Sequence, residues 1–397
     1  MRILYFSFVE LDIPNACQTH TLGVLDGFSQ NGCRVDAIVP LPQKIRPRIP
    51  RVRFYFIWPW RFSLMGQRWV KIISGLYFFS LCLFNKYDAI YVRELEINPM
   101  PRWISILYRI PLYIEINNIL SGNLKMRNAK PNYIKSAMIH QAADLRHAQG
   151  LIIPAYTACQ SLIRSYKLKP EKAHVILNGF DQKIIRPTDR RAAIKRLKLP
   201  RDGFNLGYLG TIWQAYDMYG LLEAIKICQP KIPQLRLILI GAGPMLNDLI
   251  AEAQKLDLDS CLIVVGYIQP EELHTIMGAI DVGLIYLTRA GIKFGGPITT
   301  RFATFAGFRI PVIANDCYMD QYPAQLRQGL VLTRPADPQS LAEAICWLYA
   351  HPQERQRRGE ILYDFAVNGL TWRAVVKKIL AIVKLDQAKG RSKTVPV

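Results

Sequence analysis

Short glycine turns follow three apolar runs in the second half of the chain, and basic side chains stand beside the last turn. Gly210-Thr211 follows FNLGYL, the turn GAGP at 241–244 follows LRLILI, and the segment 293–297 follows DVGLIY. Glycine lets a ligand approach the backbone, and free N–H groups ahead of a helix suit a diphosphate. Because Arg289 and Arg301 flank the third turn, which itself contains a lysine, the set indicates an anion-binding site. Each glycine alone is also typical of a plain turn.

Polar residues end the apolar runs of the first half. Arg93 follows DAIYV, Glu115 and Asn117 lie at the end of PLYIEI, and Asn15 and His20 follow the first run of the chain. A buried polar side chain at such an edge needs a partner, and a substrate hydroxyl provides one. Two plainer interpretations stay open: His20 as an ordinary helix-start residue, and Arg93 paired with Glu115 as a structural bridge.

Apolar runs of four to eight residues alternate with longer amphipathic stretches along nearly the whole chain, which predicts parallel sheets covered by helices. We expect an α/β protein with two tandem doubly wound sheets, and ligands at the carboxyl ends of their strands in a cleft between the domains. The predicted domains are 1–185 and 186–365, with a helix and tail at 366–397 packing back toward the first. The clearest candidate strands are 2–8, 34–39, 88–92, 111–116 and 150–153, then 204–209, 235–241, 261–265, 281–286, 311–314 and 329–333.

Composition bounds the function class. The 397 residues are 50% hydrophobic and 20% charged, which excludes disordered and collagen-like chains. Lys and Arg number 51 against 30 Asp and Glu, so the net charge is +21 and favours an anionic partner. The eight cysteines form no CxxC pair or zinc-like cluster and indicate a reducing compartment, and no signal peptide is evident. We therefore expect a cytoplasmic location.

The segment 37–87 combines nine basic residues with no acidic one, and Trp58, Trp60 and Trp69 are interleaved among them. Its apolar window, 69–84, is shorter than the roughly 20 residues that span a bilayer. The pattern predicts peripheral attachment to an anionic membrane, on the inner face of the plasma membrane. A solvated basic face is the alternative. Nucleic acid is not expected, because no nucleic-acid module is recognisable.

The ordered motifs resemble the retaining GT-B glycosyltransferases of family 4, the group 1 transferases that build polysaccharides and glycolipids. HVILNGFD at 174–181 is similar to the family's "vipNGvD" segment at the end of its first domain. Further pieces follow at the family's spacing: YLGT (208–211), LRLILIGAGP (235–244), VVGYIQPEEL (264–273), AIDVGLIYL (279–287), PVIAND (311–316) and GLVLTRPADPQSLAEAI (329–345).

The resemblance implies a GT-B fold, a nucleotide-sugar donor held mostly by the second domain and an acceptor held by the first. It also implies retention of configuration without a metal or other cofactor, because basic side chains and helix N-termini take the charge of the leaving diphosphate. The candidate catalytic residues are Lys293, Arg301 and His20. The donor-binding candidates are Gly210, Thr211, Gly243, Tyr267, Gly295, Gly296 and Thr304, and the acceptor-side candidates are Asn15, Arg93, Glu115 and Asn117.

The chain departs from the family pattern in its glutamate pair and in the basic pair after the first glycine turn, where Thr211 stands at the family's arginine position. Alignment on Pro311 places Arg301 at the family's Lys/Arg position, but Gly296 and Thr304 stand where the family has two glutamates. We expect an atypical, hexosyltransferase-like enzyme with a lipid-linked, polysaccharide or similar acceptor. The alternatives are a GT-B-fold binding or scaffold subunit without catalysis and, less favoured, a nucleotide-sugar epimerase.

Overall fold

A computed structural model describes residues 1–12, 16–43, 46–57, 63–93, 97–117, 120, 124, 129–294, 296 and 298–392. Within these ranges it describes only the backbone at 63–70, 293, 294 and 390–392. The chain divides into two compact units, one formed by Met1–Gly179 with Trp372–Val397 and the other by Phe180–Thr371.

The first unit is built on a seven-stranded sheet of order β3-β2-β1-β4-β5-β6-β7 in which every neighbouring pair is parallel. Leu4 and Phe6 pack into the core on one face, and Ile3 and Tyr5 pack into the core on the other. Because both faces are covered, the strands are nearly continuous apolar runs. They are β1 (Arg2–Phe6), β2 (Arg34–Pro40), β3 (Val52–Ile57), β4 (Ala89–Arg93), β5 (Leu112–Glu115), β6 (Gly150–Ile153) and β7 (Ala173–Val175).

Six helices of eight residues or more cover this sheet in the part of the first unit that the structure describes. They are α1 (Ala16–Gln30), α2 (Ser63–Phe84), α3 (Met100–Tyr108), α4 (Pro131–His147), α5 (Tyr156–Tyr166) and, from the end of the chain, α15 (Trp372–Ser392). The last helix packs on α1 at two glycines. A Cβ added to Gly23 would lie 2.1 Å from Cε2 of Trp372, so the close approach requires glycine. None of the described helices is long and apolar enough to cross a membrane.

The second unit has a six-stranded parallel sheet of order β10-β9-β8-β11-β12-β13. Its strands are β8 (Phe204–Leu209), β9 (Leu235–Ile240), β10 (Leu262–Gly266), β11 (Val282–Ile285), β12 (Val312–Asn315) and β13 (Leu330–Thr333). Its α-helices are α6 (Arg190–Arg196), α7 (Met218–Cys228), α8 (Leu246–Lys255), α9 (His274–Met277), α10 (Arg289–Phe294), α11 (Thr300–Gly307), α12 (Ala324–Gly329), α13 (Pro338–Ala350) and α14 (Pro352–Gly369). The order reverses between β8 and β11, which is the switch point where open α/β sheets bind ligands.

The units divide a few residues away from the predicted boundaries of 185/186 and 365/366. Phe180 donates its backbone N–H to the carbonyl of Leu370 at 2.9 Å and pairs with Thr371 in an isolated parallel bridge. This pairing ties the chain on both sides of the junction to the second unit. The basic segment 183–202, which contains the predicted boundary at 185/186, lies wholly within that unit.

Candidate functional site

Two glycine turns interlock at the carboxyl ends of β8 and β9 in the second unit. Gly210 and Gly241 adopt φ values of +116° and +141°, which side chains rarely tolerate. A Cβ on Gly241 would lie 2.1 Å from the carbonyl oxygen of Gly210, and one on Gly243 would lie 2.1 Å from that of Ile212. Glycine is therefore required at 241 and 243, because backbone atoms of the other turn leave no room for a side chain. The structure brings the predicted residues Gly210 and Gly243 together in these turns.

Arg301 reaches this turn from α11. Its guanidinium carbon lies 4.1 Å from the ring centroids of both Tyr208 and Tyr216, and Nη2 donates to the Tyr208 hydroxyl at 3.2 Å. That hydroxyl donates in turn to the backbone carbonyl of Thr211 at 2.6 Å. A Cβ on Gly210 would lie 2.7 Å from Nη2, so the glycine also makes room for the guanidinium. Arg301 lies 93 residues from Tyr208 along the chain, and the fold brings its side chain to the end of β8.

The electrostatics of Arg301 are unusual for a buried cation. The side chain is only 8% exposed, and no carboxylate pairs with it among the described residues. Burial lowers its pKa, but Tyr208 and Tyr216 more than offset this and the pKa of Arg301 is raised. Its Nε and Nη1 donors have no hydrogen-bond partner within the described protein. Because an unpaired buried charge is costly, such a guanidinium is ready to bind an anion, and its fork suits phosphate oxygens.

The other donor-side predictions have different surroundings. Thr304 is buried, and its hydroxyl donates to the carbonyl of Thr300 at 3.0 Å, one turn back in α11. Tyr267 is exposed beyond the edge strand β10 and donates to Oε1 of Gln269 at 3.3 Å. Thr211 is exposed and Gly296 is buried. Gly295 and the side chain of Lys293 lie outside the described residues.

Three residues of this edge were not predicted. Tyr208 and Tyr216 hold the guanidinium, and Asn315 ends β12. The side-chain carbonyl of Asn315 accepts the backbone N–H of Leu287 at 2.6 Å, while its buried Nδ2 has no partner within the described protein. A tyrosine or asparagine near the end of a buried strand needs a hydrogen-bond partner for its polar group. The tyrosine of YLGT and the asparagine of PVIAND are such residues, so these two motifs could have indicated Tyr208 and Asn315.

A second polar cluster lies at the carboxyl edge of the sheet in the first unit. Arg93 and Glu115 are register partners at the ends of β4 and β5. Nε2 of His20 lies 2.5 Å from Oε1 of Glu115, and Tyr91 donates its hydroxyl to Oε2 at 2.8 Å. Asn117 donates its amide to Oε1. The structure thus brings together four predicted residues, whereas Asn15 lies outside the described ones.

The contacts of Glu115 and Arg93 decide whether these two residues form a structural bridge, which the sequence left open. Arg93 directs Nη1 to the carbonyl of Cys17 and to Oγ1 of Thr21, at 3.2 Å each, and the close contact of the Glu115 carboxylate is the ring of His20. His20 is therefore more than a helix-start residue, because its ring also packs edge-on against Trp372 with centroids 4.8 Å apart.

The protonation states of Glu115 and His20 follow from their burial and from these contacts. Burial raises the pKa of Glu115, but His20, Arg93 and Asn117 outweigh it and hold the pKa at about 2. Burial lowers the pKa of His20 despite the nearby carboxylate. Glu115 is therefore ionised near neutral pH, fixed between donors. A small cavity beside the pair is lined by His20, Glu115, Asn117 and Asn178, the last from the motif HVILNGFD. The cluster can orient a hydroxyl that donates to a carboxylate.

Among the residues that the structure describes, no group of three or more His, Cys, Asp and Glu side chains is arranged to hold a metal ion.

Comparison with known proteins gives a family match for the second unit. Residues 203–351 match the profile of the family described as glycosyl transferases group 1. This span includes both glycine turns, Arg301 and the residues around it. The match supports the predicted resemblance to group 1 glycosyltransferases.

The curated relatives include a synthase and a glycosyltransferase. An alpha-monoglucosyldiacylglycerol synthase of Streptococcus pneumoniae is 26% identical over 247 residues, which cover 59% of this chain and 52% of the relative. A D-inositol 3-phosphate glycosyltransferase of Stackebrandtia nassauensis is 29% identical over 151 residues, covering 34% of this chain and 32% of the relative. The chain thus spans about half or less of the length of these relatives.

Solved structures match almost the whole chain. HepE of Anabaena, determined in complex with UDP and glucose, has a TM-score of 0.71 at 17% identity and covers 97% of this chain and 99% of its own. Sucrose-phosphate synthase of Thermosynechococcus elongatus has a TM-score of 0.72 at 17% identity, covering 98% and 99%. The predicted fold, GT-B with two parallel-sheet α/β domains, is confirmed.

Proposed function

We propose that this chain is a glycosyltransferase that moves a hexosyl group from a nucleotide-sugar donor to a lipid-linked, polysaccharide or similar carbohydrate acceptor, with retention of configuration, in the cytoplasm. One observation carries the proposal: the buried Arg301 guanidinium beside Gly210, two of whose donors have no hydrogen-bond partner among the described residues. Such a buried cation at the switch point of an open α/β sheet suits the diphosphate of a nucleotide-sugar donor. The group 1 family match covers the same residues.

Charge neutralisation is the main task of this site. In the transfer step the bond between the anomeric carbon of the sugar and the diphosphate oxygen breaks, the acceptor oxygen bonds to that carbon, and the leaving diphosphate takes up the acceptor proton. Negative charge develops on the leaving diphosphate as its bond breaks, and a preorganised cation stabilises that charge without reorganisation. Arg301 supplies that cation, and Tyr208 fixes its orientation. Transfer in this scheme uses no metal or other cofactor. Lys293, Gly295 and Gly296 complete the donor side in the proposal, with Thr211, Gly243, Thr304 and Tyr267.

In this proposal the polar cluster around Glu115 in the first unit binds the acceptor. Ionised Glu115 accepts hydrogen bonds, so it orients an acceptor hydroxyl, while Tyr91, Asn117 and His20 hold the carboxylate in place. Arg93, its register partner at the end of β4, lies on the same acceptor side in this proposal. Asn15 belongs to the same acceptor side in this proposal. A lipid-linked acceptor is supported by the name of one relative, an alpha-monoglucosyldiacylglycerol synthase.

The test is release of nucleoside diphosphate from UDP-, GDP- and ADP-sugars by the purified chain, together with calorimetric binding of each diphosphate. We expect one nucleotide to bind and turn over. Arg301→Gln should lower turnover by roughly 10²- to 10³-fold, the usual cost of removing a group that stabilises transition-state charge. Arg301→Lys keeps the charge but loses the fork and should recover part of the activity.

Arg309→Gln is the matched control. Its guanidinium carbon lies 3.5 Å from the ring centroid of Tyr363, so it shares the contact type of Arg301, but it pairs with Glu360 at the surface. We expect Arg309→Gln to leave turnover unchanged. Equal activity of Arg301→Gln and the parent chain would contradict the proposed donor site. Nucleotide binding without turnover in the parent chain would contradict the transferase and favour the binding-subunit alternative.

A further inference from the structure

Helix α2 presents an apolar stripe to solvent. Ile72, Leu76, Phe79 and Leu83 are 53%, 65%, 48% and 57% exposed and recur at spacings of four, three and four residues. At 3.6 residues per turn they lie within an arc of about 60° on one side of the helix. Scattered exposed leucines are normal, but a continuous stripe on one face indicates a contact surface.

The neighbouring helix α3 extends this stripe. Trp103, Ile106 and Leu107 are 54%, 56% and 64% exposed. The two helices touch, because the rings of Phe79 and Tyr108 lie 6.1 Å apart between centroids and the Tyr108 hydroxyl donates to the backbone carbonyl of Phe79 at 3.5 Å. We call the exposed residues of both helices the apolar patch: Ile72, Leu76, Phe79, Leu83, Phe84, Trp103, Ile106 and Leu107.

The patch is separate from the apolar residues that hold the fold. The opposite side of α2 places Phe78, Leu81 and Cys82 in the core, and α3 places Ile104 there. Both helices are therefore apolar on two sides. A helix with a second apolar side that the core does not cover packs against something else.

The charges around the patch indicate what that partner is. Residues 63–87 and 97–110 contain no Asp or Glu. Lys86 follows the end of α2, Arg109 follows the end of α3, and both are exposed. An apolar surface with a cationic rim matches a bilayer whose headgroups are anionic, because Lys and Arg meet the headgroups while the apolar side chains enter the acyl boundary. A second copy of this chain is disfavoured as the partner of the patch, because two chains that each carry a net charge of +21 repel each other.

We propose that the apolar patch of α2 and α3 docks the first unit onto an anionic phospholipid bilayer, with Lys86 and Arg109 at headgroup level. The helices lie on the membrane and do not cross it. This inference stands on the surface alone and does not require glycosyl transfer. Trp58 and Trp60 and the side chain of Trp69, which first suggested a membrane, lie outside the described residues, so the patch carries the argument.

The test is cosedimentation of the purified chain with vesicles of phosphatidylcholine, alone or mixed with phosphatidylglycerol. We expect binding to the mixed vesicles and much weaker binding to pure phosphatidylcholine. Leu76→Glu should lower the partition coefficient about tenfold or more, because it removes an inserted apolar side chain and adds a repelled charge. Leu107→Glu, on the other helix, should act in the same direction, so the test does not depend on one variant folding.

Leu385→Glu is the matched control. Leu385 is 61% exposed, close to the 65% of Leu76, and lies on α15 of the same unit, away from the patch in sequence. The same substitution there adds the same charge and should leave binding unchanged. Equal binding of the Leu76→Glu and Leu385→Glu variants, or no binding of the parent chain to mixed vesicles, would overturn the proposal. Self-association of the parent chain that Leu76→Glu abolishes, without vesicle binding, would assign the patch to a second copy instead.

These outcomes are distinguishable from failure of the proposed function. Vesicle binding is measured without a nucleotide, and release of nucleoside diphosphate is measured without vesicles. A chain that binds vesicles but no nucleotide keeps the docking surface and loses the transferase. The reverse result keeps the transferase and loses the docking surface.

Discussion

Replacing Glu115 by Gln should make the stability of the first unit much less sensitive to acid. The carboxyl is buried, and its pKa falls from an ordinary 4.5 to about 2 in the folded chain. A depressed pKa contributes stability that is present above the unfolded pKa and is lost as pH falls through the folded one. The window is therefore between about pH 5 and pH 2.

The size of the effect follows from that shift. Each pKa unit corresponds to about 1.4 kcal/mol, so the ionised carboxylate contributes about 3 kcal/mol at neutral pH. Gln resembles the protonated carboxyl: it keeps an acceptor for Tyr91 or Asn117 but loses the charge that faces His20. The parent chain should thus exceed Glu115→Gln in stability by about 3 kcal/mol more at pH 7 than at pH 2.

Amide hydrogen exchange of β4 and β5 in denaturant measures this difference, because those central strands report the opening of the first unit without assuming two-state unfolding of the whole chain. Glu171→Gln is the control, because Glu171 is exposed and should show no such pH dependence. A stability difference between Glu115→Gln and the parent chain that stays constant from pH 7 to pH 2 would refute the reasoning, as would a variant that is more stable at pH 7.

Two further predictions concern the donor side. Tyr208→Phe removes the hydroxyl that joins the guanidinium of Arg301 to the backbone carbonyl of Thr211, so it should lower the unfolding free energy of the second unit by about 1–3 kcal/mol. Tyr216→Phe should change that free energy by no more than about 0.5 kcal/mol. Urea unfolding of both variants measures the difference. Equal losses would contradict the assigned hydrogen bonds. Gly243→Ala should prevent stable folding of this unit, because its Cβ would lie 2.1 Å from the carbonyl oxygen of Ile212. Gly266→Ala, at φ +79° with open space around it, should cost only about 1–2 kcal/mol in melting experiments, and the reverse order of the two alanine variants would be inconsistent with the packing described.

The sequence predicted the sheets well where strands are buried on both faces, and less well at the edges. The candidate strand at 34–39 corresponds to β2, Arg34–Pro40, which is buried at every position after Arg34. No candidate covered β3, Val52–Ile57, because this half-exposed edge strand carries Arg53 and follows prolines, which resemble a loop. The strand β7, Ala173–Val175, has three residues and is too short for a periodicity to appear.

The candidate site divides in a similar way. Gly210 and Arg301 could be found because a strand-end glycine and a motif position mark them in the sequence. The surroundings of Thr304 could not be found that way, because a threonine within a helix can bond to the preceding turn, and here its hydroxyl does so. The contact of His20 with Glu115 depends on how α1 packs over β5, which no local pattern encodes.

A buried charge at the carboxyl edge of the sheet occurs in both units, but the two charges are neutralised differently. Glu115 faces His20 and accepts hydrogen bonds from Tyr91 and Asn117. Arg301 faces two rings and one hydroxyl, and two of its donors stay unpaired within the described protein. A satisfied carboxylate needs no counterion and can only add a hydrogen bond from a neutral group, whereas an unsatisfied guanidinium gains most from an anion. This asymmetry is the physical reason for assigning the diphosphate to the second unit and the hydroxyl of the acceptor to the first.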